Sequence, residues 1–467
     1  MSQEEFIGKT EELSRLETLW QSDGLTTCCI YGRKTIGKSR LLEEFSKGKR
    51  TLYLQAVQAS CYENLSSLAM DISAFRGNDI SELKDLTHLM AEIESICSEE
   101  HTLVIFDELP YLLECAPQAA SVIQKSLDRG LKNCHCMFVI CGSSISVMRK
   151  ETEDCGRPLY GRFESVMQIG YLSPEESLKF CSGTSAIDVL KWYLTVGGIP
   201  LYLKAMAGGT YESEVEEHFF EPASSWKDDA PQVILQEFKG NRNYTGAVKC
   251  ISDGSVKQSE IAEKLGIDRA ACKRMLDDLE FVNIIEKRHP MAGAPKKPVY
   301  RIKDPFIAFH YGIVSRNSKL IETSRSPEAT YALLRMKIDS HLGHMFEVFC
   351  AQWLEKHFTV TEIGSWWGRD SDGEDTDIDI IAKVADGTGL IHTLVCECKF
   401  SRNPIGFTPL NTLTERCVSA SINENVKYVL FSAGGFQDDL REYAEENGIL
   451  LIDSDILMGL KEIPDLF

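Results

Sequence analysis

The sequence has no long apolar run, no paired cysteine motif and no excess of positive charge. No segment approaches the roughly 20 apolar residues of a membrane-spanning helix, and the acidic start at residues 1–5 has no basic region typical of a signal peptide. None of the 16 cysteines forms a Cys-x-x-Cys pair, which argues against a zinc ribbon or a disulfide framework. We therefore expect no membrane segment, a cytoplasmic location and reduced cysteines.

The net charge bears on nucleic-acid binding, and the chain length bears on the number of domains. A net charge of -20 argues against a chain that coats nucleic acid non-specifically, although a local basic surface is compatible with it. With 467 residues, the chain exceeds the size at which one hydrophobic core keeps growing, so we expect two to four domains.

Strands and helices alternate in the first part of the chain. Short β-prone runs predict strands at residues 26–31, 50–54, 102–106 and 137–141, and helical spacing predicts helices at 80–95 and 119–129. This alternation predicts an α/β fold with a parallel sheet covered on both faces. The predicted domains are the sheet domain at 1–172, a helical lid at 173–238, a different module at 239–320 and a second α/β domain at 321–467.

Residues 26–39 combine a β-prone run, a glycine-rich loop and the start of a helix. Phosphate groups need converging backbone N–H donors, glycines that let the chain approach, and a lysine that matches their negative charge. Ser39 opens the helix, where its hydroxyl can bind Mg²⁺. A glycine-rich turn without a ligand is the alternative, and the strand-loop-helix context argues against it. The sequence predicts an ATP-binding loop formed by Gly32, Arg33, Lys34, Thr35, Ile36, Gly37, Lys38, Ser39 and Arg40.

An apolar run that ends in two acids follows downstream at residues 103–108. Such a strand beside a phosphate-binding loop would hold Mg²⁺ and orient the attacking water. We therefore predict that Asp107 coordinates Mg²⁺ through water and that Glu108 polarises the nucleophilic water. A solvated strand end is the alternative, but the distance from the loop and the adjacent pair of acids favour a nucleotide site.

With these elements, the chain resembles the AAA-related ATPases of prokaryotes, close to their STAND-like branch, that carry a winged helix and a C-terminal nuclease-like domain. The resemblance spans nearly the full length. It implies that residues 6–13 pack beside the adenine, that Ser143 or Ser144 reaches toward the γ-phosphate, that Arg162 is a charge-stabilising finger, and that residues 197–200 contact the base. The alternatives are a capped helix start, a polar strand end, a surface arginine and a helix stop before a proline.

Residues 259–302 have the pattern of a winged helix-turn-helix. A short helix at 259–265 and a second helix at 269–279 flank a turn, with Asp268 as the N-cap. Wing strands are expected at 281–288 and 298–302. The basic side chains that could contact DNA are Arg269, Lys273, Arg274, Lys296 and Lys297. Acidic residues on or just after the second helix dilute this charge, so DNA contact and a structural or protein-binding role both stay open.

The last domain places carboxylates and a lysine in a chemically suggestive order. Glu397 and Lys399 lie two apart on a predicted strand and face one side, and Asp379 lies on a neighbouring strand. Two carboxylates that share a divalent metal beside a lysine can support phosphodiester cleavage. This arrangement resembles the PD-(D/E)XK nucleases, a resemblance that makes Glu347 the helical acid of the site.

The sequence departs from that nuclease pattern at two places. Asp377-Ile378-Asp379 stands where the family usually has Glu-Ile-Asp, and the acidic loop at residues 370–375 would repel a DNA backbone unless it is held away. A degenerate domain that uses its sheet for packing or partner contact is the alternative.

Two classes of function follow from these motifs. The first is an ATP-driven nuclease used in DNA processing or anti-phage defence, with ATP and Mg²⁺ as cofactors and DNA as a partner. The second is a STAND-like ATPase switch whose C-terminal domain only binds. Intact Asp379, Glu397 and Lys399 favour the first class, and the weak basicity favours the second. Assembly into a homo-oligomer is compatible with both.

Overall fold

The chain forms two compact units. The computed structural model describes residues 6–77, 83–292, 297–370, 373–423 and 425–465. The first unit runs to Leu172 and includes Ile199–Leu201, and the second comprises Ser173–Gly198 and the chain from Tyr202 onward. Within the described ranges, no helix has both the length and the apolar composition needed to cross a bilayer.

Five parallel strands form the sheet of the first unit. They are β1 (Leu25–Tyr31), β2 (Thr51–Gln55), β3 (Thr102–Asp107), β4 (Cys136–Gly142) and β5 (Ser165–Gln168). Their order is β2-β3-β4-β1-β5, so β4 separates β1 from β3. The strands β3 and β4 are buried along their whole length, which explains their continuous apolar sequences. The predicted parallel α/β sheet is confirmed.

In the described part of the first unit, seven α-helices lie before, between or after these strands. They are α1 (Thr10–Trp20), α2 (Lys38–Ser46), α3 (Cys61–Arg76), α4 (Leu86–Glu99), α5 (Leu109–Cys115), α6 (Ala119–Lys125) and α7 (Ile145–Glu153). The predicted helix at 80–95 begins later than expected, because the Asp85 side chain accepts a hydrogen bond from the His88 N–H and caps the first turn. Part of that prediction, residues 80–82, lies outside the described residues.

The second unit begins with a run of helices. They are α8 (Pro174–Phe180), α9 (Ala186–Val196), α10 (Pro200–Met206), α11 (Tyr211–Val215), α12 (Trp226–Glu237), α13 (Arg242–Ser252), α14 (Gln258–Leu265) and α15 (Arg269–Phe281). Pro200 and Leu201 at the start of α10 are grouped with the first unit. The large buried side chains Trp192, Tyr211 and Phe219 supply much of the core of this region.

A short antiparallel hairpin follows α15. It consists of β6 (Ile285–Arg288) and β7 (Val299–Ile302), with Ile285 opposite Ile302. Asp268 caps α15 as predicted, since its carboxylate accepts hydrogen bonds from the N–H groups of Ala270 and Ala271. The predicted strand at 281–288 is wrong at its start, because α15 continues to Phe281 and the strand begins only after the turn. Lys296 lies outside the described residues.

The remaining chain adds a long helix and a second sheet. Its helices are α16 (Pro305–Phe309), α17 (Ser318–Thr323), α18 (Pro327–His357), α19 (Thr408–Ser419), α20 (Asp438–Asn447) and α21 (Ser454–Leu457). Its strands are β8 (Thr359–Arg369), β9 (Asp375–Ala385), β10 (Ile391–Lys399), β11 (Val426–Ser432) and β12 (Leu450–Asp453). The order is β12-β11-β10-β9-β8, antiparallel from β8 to β10 and parallel from β10 to β12. The strands predicted to carry Asp379 and Glu397 are present as β9 and β10.

Candidate functional site

The glycine-rich loop between β1 and α2 has the backbone that a phosphate cradle requires. A Cβ on Gly32 would lie 2.4 Å from the Ile169 carbonyl oxygen, so only glycine fits there. Gly37 has a φ of 97°, in the left-handed region that glycine adopts without strain. The Lys38 ammonium is buried and donates hydrogen bonds to the carbonyl oxygens of Gly32 (2.9 Å) and Arg33 (3.0 Å). The Lys38 side chain is therefore folded back over the first residues of the loop.

The end of β3 brings an acid to this loop. Asp107 is buried, and its Oδ2 accepts a hydrogen bond from the Ser39 hydroxyl at 3.3 Å. The same oxygen accepts a hydrogen bond from the Tyr53 hydroxyl at 2.6 Å. Burial and then the Asp107 carboxylate raise the pKa of Tyr53, which keeps its hydroxyl protonated as a donor. Tyr53 was missed in the sequence, where a tyrosine in the apolar run of β2 resembles an ordinary core residue.

Glu108 is held by a residue at the end of the neighbouring strand. The backbone of Glu108 has a φ of 53°, which is uncommon for a residue other than glycine. Its Oε2 accepts hydrogen bonds from the Ser143 hydroxyl at 2.7 Å and from the Ser143 N–H at 3.2 Å. Ser143 follows β4 directly and its hydroxyl is directed at Glu108, whereas its contact with the γ-phosphate stays a prediction.

Three further parts of the chain are predicted to contribute to the nucleotide site: the N-terminal segment, the 197–200 segment and Arg162. Lys9, in the N-terminal segment, donates hydrogen bonds to the carbonyl oxygens of Gly170 (2.7 Å) and Tyr171 (3.0 Å). Pro200 would be 3.7 Å from a Cβ on Gly37, so this part of the 197–200 segment adjoins the loop. Arg162 is on the surface and forms an ion pair with Asp128 at 3.2 Å.

The C-terminal sheet brings two predicted carboxylates together. The paired register of β9 and β10 ends at Ile380 and Cys396, and the next residues on the two strands are Asp379 and Glu397. Both side chains are buried, at 8% and 2% exposure. One Asp379 oxygen, Oδ2, accepts a hydrogen bond from the Cys398 N–H at 2.8 Å. In contrast, Asp377 is exposed on the same strand.

Glu397 is surrounded by positive charge. The Lys399 ammonium lies 2.6 Å from Glu397 Oε1, which confirms that these side chains share one face of β10. Arg416 of α19 contacts both carboxylate oxygens through Nη1, at 3.2 and 2.9 Å. Arg416 was missed because it lies 19 residues along the chain, and no local pattern relates it to Glu397.

The third predicted acid, Glu347 on α18, faces the hairpin. The guanidinium groups of Arg288 on β6 and Arg301 on β7 each approach Glu347 Oε2 at 3.9 Å. Arg288 also donates a hydrogen bond to the Asp379 carbonyl oxygen at 2.8 Å. A backbone contact reinforces this arrangement, since the N–H of Ser365 on β8 donates to the His289 carbonyl oxygen at 3.1 Å. The hairpin therefore lies against the carboxylate site, an association that no short motif indicates.

Burial and mutual repulsion perturb the titration of these acids. Burial, then Glu397 and Glu347, raise the pKa of Asp379 to about 7. Burial also raises the pKa of Glu347, although Arg288 and Arg301 oppose the rise. Burial lowers the pKa of Lys399, but the charge and hydrogen bond of Glu397 together with the charge of Asp379 outweigh burial and raise that pKa. The site thus combines two carboxyl groups of raised pKa, Asp379 and Glu347, with a lysine whose pKa is also raised, and perturbed pKa values of this kind are common at functional sites.

Both predicted metal sites have suitable donors. Ser39 and Asp107 offer the oxygen ligands that Mg²⁺ combines with nucleotide phosphates. Three hydrogen bonds occupy most of the roughly four lone-pair positions of Glu397, which leaves one for a metal shared with Asp379. In the described part of the chain, no three His, Cys, Asp or Glu side chains are grouped as a preformed metal site. Metal binding by Asp379, Glu397 and Glu347 therefore stays a prediction.

The predicted basic surface of α15 is solvent-accessible. Arg269, Lys273 and Arg274 are exposed on this helix, and so are Asp277 and Asp278. Asp278 accepts a hydrogen bond from the Tyr244 hydroxyl at 2.6 Å. Lys297 is exposed as well. Positive charge is concentrated in the first half of α15.

Comparisons with known sequences agree with the geometry of the nucleotide site. Residues 6–206 match a family described as an ATPase domain predominantly from Archaea. Residues 310–412 match a family described as Archaea bacterial proteins of unknown function. An uncharacterized protein of Methanocaldococcus jannaschii is 26% identical over 384 residues, which span 80% of this chain and 83% of that protein.

Comparisons with solved structures concern the fold. A Walker-type ATPase of Pyrococcus abyssi aligns with a TM-score of 0.51 at 19% identity, over 67% of this chain and 97% of that chain. The ORC2 protein of Aeropyrum pernix, in ADPNP and ADP complexes, aligns with a TM-score of 0.40 at 13% identity, over 68% and 96%. The match of residues 6–206 to the ATPase family, together with the geometry of the loop, shows that the chain contains a P-loop ATPase domain, as predicted. The winged-helix, STAND-like and nuclease-like assignments stay predictions.

Proposed function

We propose that this chain hydrolyses ATP at the P-loop and uses the nucleotide state to control a metal-dependent nuclease-like domain that acts on DNA. The observation that carries the second half of this proposal is the meeting of Asp379 and Glu397 on adjoining strands, with Lys399 2.6 Å from Glu397. DNA processing or anti-phage defence is the setting in which such an enzyme would act.

The ATPase half assigns a separate task to each side chain of the loop region. Lys38 neutralises the β- and γ-phosphates, and the Ser39 hydroxyl and Asp107 hold the Mg²⁺ that accompanies them. Glu108 accepts the proton of the attacking water. Ser143 fixes the Glu108 carboxylate through two hydrogen bonds, so it controls where that base points. Arg162 would stabilise transition-state charge in a neighbouring copy of a homo-oligomer.

The nuclease half assigns metal binding to Asp379 and Glu397, with Glu347 as an outer acid. A divalent ion bound there would supply activation of water and stabilisation of charge on a phosphodiester. Lys399 has a raised pKa and therefore keeps its proton and places a positive charge beside the scissile phosphate. The raised pKa of Asp379 is consistent with a site that gains by binding a cation.

DNA contact is assigned to the exposed helix α15. Arg269, Lys273 and Arg274 supply positive charge on the second helix of the predicted helix-turn-helix. The contact of the hairpin arginines with Glu347 supports a role for this module in communication with the carboxylate site.

A second function is favoured by one specific observation. Arg416 contacts both oxygens of Glu397, and Arg288 and Arg301 share Glu347. Ion pairs of this kind would stabilise a domain that has lost its metal and only binds a partner. The chain would then be a STAND-like ATP-dependent switch.

A cleavage assay separates the two functions. Labelled DNA and RNA are incubated with the full chain, with and without Mg²⁺ or Mn²⁺, in the presence and absence of ATP. The nuclease proposal predicts divalent-dependent cleavage that is lost in Lys399→Ala by about 10² to 10³ in rate, because a positioned charge is removed. Absence of both cleavage and divalent binding in the unaltered chain, under every condition, would establish the switch instead.

A further inference from the structure

A cavity of about 610 Å³ lies in the second unit between the hairpin, α13 and α18. Its size is within the range of pockets that bind small molecules. Part of its wall is apolar, with Ile251, Val256, Ile302 and Met345 among the lining residues. The cavity is formed by residues of the second unit alone, so its lining does not include the P-loop.

The charged residues that line this cavity are all basic. They are Arg288, Arg301, Arg316 and Lys337, and no Asp or Glu of the described chain lines it. Arg288 and Arg301 both lie 3.9 Å from the same Glu347 oxygen, so their two guanidinium groups are close enough to repel each other. An anion in the cavity would relieve this repulsion.

The carboxylates that pair with these cations do not line the cavity, and they do not bind all of the N–H groups of the arginines. Arg301 pairs with Glu286 through Nε, and Asp253 pairs with Arg316 at 3.0 Å. Glu347 stays 3.9 Å from both Arg288 and Arg301, beyond hydrogen-bond distance. The cations at the cavity thus keep capacity for a further anionic partner.

Two buried nitrogen atoms of lining residues strengthen this conclusion. Arg301 is only 8% exposed, yet its Nη1 has no hydrogen-bond partner among the described residues. The same is true of Nε2 of His341 on α18. Buried polar atoms without partners are rare in folded proteins and commonly mark the position of water, an ion or a ligand. Both residues line the same cavity.

We propose that this cavity is a second ligand site, which binds a small phosphorylated molecule with an apolar part, such as a nucleoside monophosphate. The guanidinium groups and Lys337 bind the phosphate, and the apolar wall receives the base and sugar. Because Arg288 and Arg301 also approach Glu347, a bound phosphate competes with that carboxylate for both arginines.

Isothermal titration calorimetry with AMP tests this proposal in the full chain carrying Lys38→Ala, which weakens the P-loop. We expect saturable binding at one site per chain, and much weaker binding of adenosine, which lacks the phosphate. The double variant Arg316→Gln, Lys337→Gln should lower AMP affinity about tenfold or more, since it removes two charge-assisted contacts. Arg335→Gln is the matched control, because Arg335 is exposed on the same helix as Lys337 and does not line the cavity.

A third variant tests the same site if the double variant is too unstable to measure. Ser340→Trp adds bulk at an exposed lining position of α18 and should also weaken AMP binding. Absence of AMP binding, equal binding of adenosine, or AMP affinity unchanged in both altered cavities would overturn the proposal. Displacement of AMP by a DNA duplex, with DNA affinity lost in the double variant, would instead assign these cations to nucleic acid.

Discussion

Replacing Asp379 by asparagine should stabilise the second unit at neutral and alkaline pH. The side chain is 8% exposed, and its pKa is raised from 3.8 to about 7. Asparagine has the same shape and can still accept the hydrogen bond from the Cys398 N–H. It removes the charge that burial, Glu397 and Glu347 disfavour.

The size of this effect follows from the pKa shift. Below about pH 4 the carboxyl is protonated in the folded and the unfolded chain, so it adds no penalty. Between pH 4 and pH 7 only the unfolded chain releases the proton, and the free energy of unfolding falls by about 1.4 kcal/mol per pH unit. Above pH 7 the penalty reaches its full value, at most about 4 kcal/mol, of which part belongs to the neighbouring acids.

Urea unfolding followed by tryptophan fluorescence measures this change. Five of the six tryptophans lie in the second unit, so the fluorescence reports mainly on that unit. We expect Asp379→Asn to be more stable than the unaltered chain by about 2 to 4 kcal/mol at pH 8, with an advantage about 1 kcal/mol smaller at pH 6. Measurements stay above pH 6 because the isoelectric point is near 5.1.

A control on the same strand isolates the cause. Asp375 is 90% exposed and forms an ion pair with the exposed Arg369 at 3.5 Å, so Asp375→Asn should change stability by less than about 0.5 kcal/mol. If Asp379→Asn proved less stable than the unaltered chain at pH 8, or if its advantage did not grow with pH, the proposed clash of carboxylates would be refuted.

Three further predictions concern the nucleotide site. Lys38→Ala should weaken ATP binding at least about 100-fold in calorimetry, because it removes the cation that faces the phosphates; unchanged affinity would refute the loop assignment. Glu108→Gln should spare ATP binding but slow ATP hydrolysis, measured as released phosphate, about 10² to 10⁴-fold, since an amide is a poor base; normal turnover would exclude Glu108 as the base. Ser143→Ala should keep ATP binding and slow hydrolysis about tenfold or more through loss of one charge-assisted hydrogen bond; an unaltered rate would reduce Ser143 to a structural role.

Local sequence patterns predicted the parts of the site whose residues lie close together along the chain. The loop at residues 32–39 needs glycine at a crowded position and at a positive φ, so its spacing is visible in the sequence. The two-residue spacing of Glu397 and Lys399 likewise determines that they share a face of β10. The domain boundaries and the roles of the individual site residues remain predictions.

Contacts between distant segments could not be predicted in the same way. Tyr53 bonds Asp107 only because β2 is adjacent to β3, and Ser143 reaches Glu108 only because β4 is adjacent to β3 on its other side. The contact of Arg288 with the C-terminal acids depends on how the hairpin packs, and an arginine in a short strand gives no local indication of it. Sheet order and packing, which a single sequence does not show, determine these partners.

The central claim is that one chain joins an ATPase to a metal-dependent nuclease whose activity follows the nucleotide state. The most direct measurement is the rate of Mn²⁺-dependent DNA cleavage with ATP, compared among the unaltered chain, Lys38→Ala, Glu108→Gln and the double variant Asp379→Ala, Glu397→Ala. We predict that the double variant has no cleavage while it still binds ATP, and that Lys38→Ala and Glu108→Gln cleave at different rates because one cannot bind ATP and the other retains it. Cleavage that survives in the double variant would contradict the account.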